Sequence, residues 1–189
     1  MIEIVEYHQS WVQDFRDIAR TIRRGLGDLA LRIDHIGSTA VPGLCAKDVI
    51  DQQITVAALD ARVTTAMHAL GYALAEDVSR DHRPPDDVGP EDDWRKLYFR
   101  APQGQRRTHT HVRVAGRLNQ RYALLFRDYL IAHPTTAAAY GELKRRLSVA
   151  LINPDEDYPD VKDPAVDLIY LPAQRWAAQT RWTPGPSGA

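Results

Sequence analysis

Residues 35–56 read HIGSTAVPGLCAKDVIDQQITV, and the fold turns on how this stretch divides. Leu29 to Ile36 leads into it with alternation: Leu31, Ile33 and His35 fall on one side, Arg32, Asp34 and Ile36 on the other. That is the period of a β-strand. Gly37 and Ser38 break the strand. Thr39 to Lys47 contains Pro42-Gly43 and predicts a turn or a short helix. Val49 to Val56 is β-branched and apolar, and predicts a second strand with Asp51 and Gln53 on one face.

Working outward, Ile2 to Tyr7 reads as a short extended lead-in. Ser10 is placed to cap a helix whose apolar face is Trp11, Phe15, Ile18, Ile22 and Leu26. Downstream, Leu59, Val63, Met67 and Leu70 mark a second helix closed by Gly71, and Tyr72 to Ala75 a short strand. Glu76 to Asp93, broken by Pro84, Pro85, Gly89 and Pro90, predicts a long surface loop, a kind of loop that is often functional or disordered. Leu97 to Arg100 and Thr108 to Val114 predict a hairpin around Pro102-Gln103-Gly104.

From Leu118 the period becomes helical. Leu118, Tyr122, Leu125, Phe126 and Tyr129 define one helix stopping near Pro134, and Tyr140, Leu143, Leu147 and Leu151 another ending at Asn153-Pro154. Asp155 to Asp163 reads as an acidic connector. Asp163-Pro164 predicts the start of a last helix that ends or kinks at Pro172. The fold class is α+β: a small sheet of about five strands, with helices on one side and a helical C-terminal part from about residue 117. A single domain over 1–180 is expected, with a disordered tail over 181–189.

The chain has 189 residues, is 44% hydrophobic and carries a net charge of −1, so it can bury a core and offers no overall electrostatic case for nucleic acid or membrane. Its one cysteine, Cys45, excludes an internal disulfide and fits a reducing, cytoplasmic setting. The first residues lack a signal-peptide layout, and no apolar run nears the roughly 20 residues of a membrane span.

Chemistry concentrates in few places. A glycine after a strand lets backbone approach a ligand, and a serine beside it offers a hydroxyl and an N–H to phosphate. Asp51, thirteen residues after Ser38, opens the next strand and could hold Mg²⁺ beside that cradle, or be a surface aspartate. Lys47 could reach a phosphate or be solvated. His109 and His111 share a strand face and could share a metal, or simply be polar surface. If their hairpin pairs near the Asp51 strand, the three side chains converge on one cleft. Arg95, Lys96, Arg100, Arg106 and Arg107 could bind phosphate or guard a sheet edge. Trp94, Tyr98 and Phe99 could stack on a base or belong to the core. Cys45, without a neighbouring base, reads as a buried inert thiol.

Three blocks resemble the GrpB family, a group related to the nucleotidyltransferases. They are Ile36-Gly37-Ser38-Thr39-Ala40-Val41-Pro42-Gly43-Leu44 with Ala46-Lys47 and Val49-Ile50-Asp51; His109-x-His111-Val112; and Phe126-Arg127-Asp128-Tyr129-Leu130 with Ala132-His133-Pro134, Tyr140 and Leu143-Lys144. The resemblance implies a nucleotidyltransferase-like small mixed sheet flanked by helices. It implies phosphate binding by Gly37, Ser38, Thr39 and Lys47, a metal ion (Mg²⁺ or Mn²⁺) on Asp51, Gln53 and His111, and catalytic roles for Asp51, His109 and His111. The substrates implied are a nucleoside triphosphate, ATP foremost, and a small-molecule acceptor. Gln53 stands where that superfamily places a second carboxylate, and histidines stand where it places a third. Asp48 replaces an expected proline. The implied activity is metal-dependent nucleotidyl or phosphoryl transfer, or triphosphate-driven activation of the acceptor. The alternatives are a non-catalytic nucleotide- or partner-binding module of the same fold, as in fusions to dephospho-CoA kinase, and a histidine-based metal enzyme of another reaction class.

Overall fold

The structure, a computed structural model, describes residues 3–85, 87–150 and 154–189, with backbone alone over 154–160. The first helix, α1 (Ser10–Leu26), buries Trp11, Phe15, Ala19, Ile22 and Leu26 at spacings of three and four. Ser10 is its first helical residue rather than its cap; the capping place belongs to Gln9, which makes no side-chain cap hydrogen bond. Arg23 and Arg24 in the last turn complement the helix dipole.

Five strands follow the expected segments: β1 (Arg32–Ile36), β2 (Ile50–Val56), β3 (Ala73–Leu74), β4 (Leu97–Arg100) and β5 (Thr108–Val114). The short helix α2 (Ala61–Ala69) sits between β2 and β3, and Asp60 caps it by accepting from the Arg62 N–H. The sheet order is β1-β2-β5-β4-β3, with β2 and β5 parallel and the other pairs antiparallel. The sheet is therefore mixed, and the fold is α+β as expected.

Alternation gives the sheet two different faces. Ile33, Ile50, Ile54, Val56, Phe99 and Val112 pack with α1 and α2 in the main core. Burial at this scale is the principal stabilising term. On the other face the register aligns Asp34, Gln53, His111 and Tyr98 in one row, and Ile36, Asp51, His109 and Arg100 in the next. A row so polar must be covered by polar partners or kept open as a site.

The cover comes from α3 (Leu118–Ala132), α4 (Pro134–Ala150) and α5 (Pro154–Thr180). Here the structure corrects two expectations. The segment read as an acidic connector is helical, and α5 runs through both Pro164 and Pro172 to Thr180. Val166, Tyr170, Ala173 and Ala177 form a buried stripe that packs against Phe126, Leu125 and Tyr129 of α3. That continuous tertiary contact outweighs the local cost of the prolines. The expected end of α4 at Leu151 to Asn153 lies outside the described residues. The tail, read as disordered, lies along β1: the Gly188 N–H donates to Ile33 O at 3.0 Å and the Ile33 N–H to Ser187 Oγ at 3.0 Å. Sequence composition gave no sign of that docking, because it is made largely with backbone groups of residues distant in the chain. No described helix is long and apolar enough to cross a membrane.

Candidate functional site

The stretch 35–56 is pinned from both sides. Val41 and Leu44 pack under Phe126, Leu130 and Tyr140, while Ile50 and Ile54 belong to the sheet core. Asp48 accepts from Trp11 Nε1 at 2.7 Å and from Arg106 Nη1 at 3.0 Å, tying α1 to the approach to β5. That gives the aspartate at this place a structural role.

Gly37 turns the chain with φ 67° and ψ −169°, a region that only glycine occupies at low cost. A Cβ there would stand 2.4 Å from Asp51 Oδ2, so the Gly37 backbone and the Asp51 carboxylate are held against each other. Asp51 Oδ1 also lies 2.9 Å from His109 Nδ1. Burial pushes the Asp51 carboxyl up, but the hydrogen bond from His109, with the Lys162 ammonium, holds it below its ordinary value.

Two adjoining cavities open here. One, of about 230 Å³, is lined among others by Gly37, Ser38, Asp51, Asp81, His111 and Arg113. The other, of about 280 Å³, is lined among others by Ser38, Lys47, Asp51, His109, Lys144 and Lys162. Gly37, Ser38, Lys47, Asp51, His109 and His111 thus come together as expected. Thr39 does not join them: it is buried with its hydroxyl 3.0 Å from His35 Nε2, on the side facing α1.

Gln53 faces the right way but is fully engaged. Its carboxamide oxygen accepts from Arg113 Nη1 at 2.6 Å, and its nitrogen donates to Gln120 O at 3.2 Å. It is fully buried and lines neither cavity, so the structure does not bring it together with the other expected ligands. His111 lines both cavities, and its buried Nδ1 has no hydrogen-bond partner. Burial, then Arg113 and Lys96, push its pKa far below the usual histidine value, so it is a neutral imidazole. Among the described residues, no group of three or more His, Cys, Asp or Glu is arranged to hold a metal ion. The donor set fits one divalent ion carried by Asp51 and ligand oxygens, and does not fit a two-metal centre.

Sequence reasoning missed two groups. Asp81, from the long polar loop, enters the cleft and accepts from Arg113 Nε and Nη2, each at 2.8 Å, from Lys96 Nζ at 2.8 Å and from Asn119 Nδ2 at 2.9 Å. Burial favours its neutral form, but Arg113 and Lys96 hold the carboxyl well below the usual range. The second group is Lys144 of α4, whose Nζ donates to Ser38 Oγ at 2.8 Å and to Cys45 O. Burial lowers its pKa to about 8. A signal existed for both: Arg113 shares the inward alternation of His109 and His111, and Lys144 shares the buried stripe of Ala137 and Tyr140. Two of the hairpin cations are tied into the structure: Arg106 pairs with Asp14 and Asp48, and Lys96 with Asp81. Trp94 and Phe99 are core, and the Cys45 thiol is buried against Gly141 O.

The GrpB protein family model matches residues 1–171. The chain belongs to the GrpB family. A UPF0157 protein of Halalkalibacterium halodurans is 30% identical over 89% of this chain and 80% of its own length. Dephospho-CoA kinase of Mycobacterium tuberculosis is 35% identical over 96% of this chain, but the match covers 48% of the kinase. This GrpB chain thus spans about half the length of the kinase relatives it matches. The structure of the conserved protein GrpB from Enterococcus faecalis superposes with a TM-score of 0.70 at 27% identity, covering 92% of this chain and 99% of that one. Cid1 in complex with its short product ApU superposes with a TM-score of 0.50 at 12% identity, over 77% of this chain and 42% of that one. That likeness is one of fold alone.

Proposed function

We propose that the cleft holds a nucleoside triphosphate, ATP foremost, by its phosphates, and transfers a phosphoryl or nucleotidyl group to a small-molecule acceptor. The observation that carries this reading is the apposition of the Gly37-Ser38 turn to Asp51, with Lys144 donating to Ser38 Oγ. Ser38, Lys47, Lys144 and Lys162 line one cavity and supply hydroxyl and ammonium donors of the kind phosphate takes. One Mg²⁺ or Mn²⁺ ion, when bound, neutralises phosphate charge from Asp51. With His109 Nδ1–H donating to Asp51, His109 Nε2 keeps a lone pair that takes the proton of an acceptor hydroxyl. The acceptor oxygen then bonds to phosphorus as the bond to the ADP or pyrophosphate leaving group breaks.

In a thermal-shift experiment, Mg²⁺ with ATP raises the melting temperature of the wild type, and Asp51→Ala removes that rise. No rise with any of the four ribonucleoside triphosphates would sink the reading. A second reading, a binding module without turnover, draws on the engaged Gln53. Binding without formation of ADP or pyrophosphate across an acceptor screen selects it.

The cleft also carries a pH signature. Lys144 attracts phosphate as an ammonium, which it is below its pKa of about 8. Triphosphate affinity should therefore fall as pH rises through about 8, and Lys144→Gln should flatten that decline. A wild-type affinity unchanged between pH 7 and 9 would remove Lys144 from the phosphate set.

A further inference from the structure

A third cavity opens on the other side of His109. It holds about 240 Å³ and is lined among others by Tyr98, Arg100, Gln105, Arg107 and His109. His109 also lines the cavity of Ser38, Lys47, Asp51 and Lys144, so its imidazole is a wall that the two share. The strand register sets the order. Asp51 of β2, His109 of β5 and Arg100 of β4 are partners in one row on one sheet face, at strand spacings of about 4.8 Å. His109 Nδ1 is committed to Asp51 at 2.9 Å, which leaves Nε2 turned away from that carboxylate. Arg107 precedes β5, and its carbonyl accepts from the Ile50 N–H at 3.1 Å, which fixes its backbone beside the cavity.

Among the described residues no carboxylate lines this cavity. Asp77 lies 3.9 Å from Arg100 with both side chains exposed, and such a pair holds weakly. Arg107 is exposed and pairs with no described acid. Asp51, which also acts on Tyr98, is engaged by His109. Protection of a sheet edge does not account for Arg100, because β4 is covered by β5 on one side and by β3 on the other, with Ala73 as the partner of Arg100. We infer that this cavity is the acceptor subsite, and that the acceptor is a small hydroxy compound carrying an anionic group, a carboxylate or a phosphate. Arg100 and Arg107 hold the anionic group, whose paired oxygens match the guanidinium fork. The acceptor hydroxyl reaches His109 Nε2, and the triphosphate lies across the ring beside Asp51. The inference rests on the triphosphate reading above and adds to it the class of acceptor.

The test measures binding to the full chain saturated with Mg²⁺ and the non-hydrolysable triphosphate AMP-PNP, which keeps the probes out of the phosphate cavity. Glycerol 3-phosphate and glycerate are the probes, and glycerol is the uncharged control. At least one anionic probe should bind and shift the His109 ring resonances in nuclear magnetic resonance spectra, with glycerol about tenfold weaker or more. Comparing the two probes separates a phosphate from a carboxylate. Arg100→Gln and Arg107→Gln, both at exposed positions, should each weaken binding about threefold, and the double variant about tenfold. The inference is overturned if neither anion binds, if glycerol binds as well as they do, or if the double variant binds like the wild type. Failure of the triphosphate reading looks different: AMP-PNP does not bind. The same comparison of wild type with double variant in the nucleotide-free chain then still decides whether Arg100 and Arg107 form an anion subsite.

Discussion

Asp81→Ala is expected to lower the unfolding free energy by about 3–5 kcal/mol, the usual cost of removing one partner from a buried ion pair. That is a large part of a typical domain stability of about 5–15 kcal/mol. Asp81 is the common acceptor for Arg113, Lys96 and Asn119, and its side chain is 14% exposed. Without it, Arg113 at 5% exposure and Lys96 at 7% keep their charges with no carboxylate beside them. The deficit also has a pH dependence with a fixed sign. The Asp81 carboxyl is held well below the ordinary range in the folded state. Its stabilisation is complete above the unfolded-state value of about 3.9 and is lost as pH falls towards the much lower folded value. The difference between wild type and Asp81→Ala should therefore be full at neutral pH and narrow in strong acid. Urea denaturation at pH 7 and pH 3 measures both. Asp81→Asn, which keeps an acceptor but no charge, should fall between the two. A deficit under about 1 kcal/mol at pH 7 would mean that water already solvates Arg113 and Lys96.

That carboxylate was hidden in the sequence for a physical reason. Strand alternation is local, so it placed Asp51, Gln53, His109 and His111 on their faces without any knowledge of the fold. The parallel pairing of β2 with β5 then converted shared faces into one cluster. Asp81 lies in a loop with no periodicity, and its partner Arg113 is 32 residues away. Lys144 meets Ser38 across 106 residues. Long-range pairs of this kind leave only an indirect trace, an ionisable residue on an inward face that must find a partner somewhere. Proline misled in the same local way. Pro164 and Pro172 signal breaks in an isolated helix, but the stripe from Val166 to Ala177 is anchored along its length by α3. Gln53 is the subtler case. Its place in the alternation was legible, but its two hydrogen bonds depend on Arg113 and Gln120, which alternation does not name.

Gly37→Ala should abolish the Mg²⁺–ATP thermal shift while leaving a folded protein. Two effects act together. The backbone at φ 67°, ψ −169° is nearly closed to residues with a Cβ, a strain of about 1–3 kcal/mol. The added methyl would also stand 2.4 Å from Asp51 Oδ2 and 2.8 Å from Asp51 Cβ, so the carboxylate has to move. Moving Asp51 breaks its 2.9 Å contact with His109 and takes the charge out of register with Ser38. Strain alone should lower the melting temperature by roughly 2–12 °C for a domain of this size. The control separates strain from displacement. Gly43 also has a positive φ, 78°, but a Cβ there meets nothing within 4 Å. Gly43→Ala should therefore lose stability to backbone strain alone and keep the ligand-induced rise. If both variants lose the rise equally, the loss follows from weakened folding, and the close approach of Gly37 to Asp51 has no part in binding. If only Gly37→Ala loses it, the absence of a side chain at residue 37 is a requirement of the site and not merely of the turn.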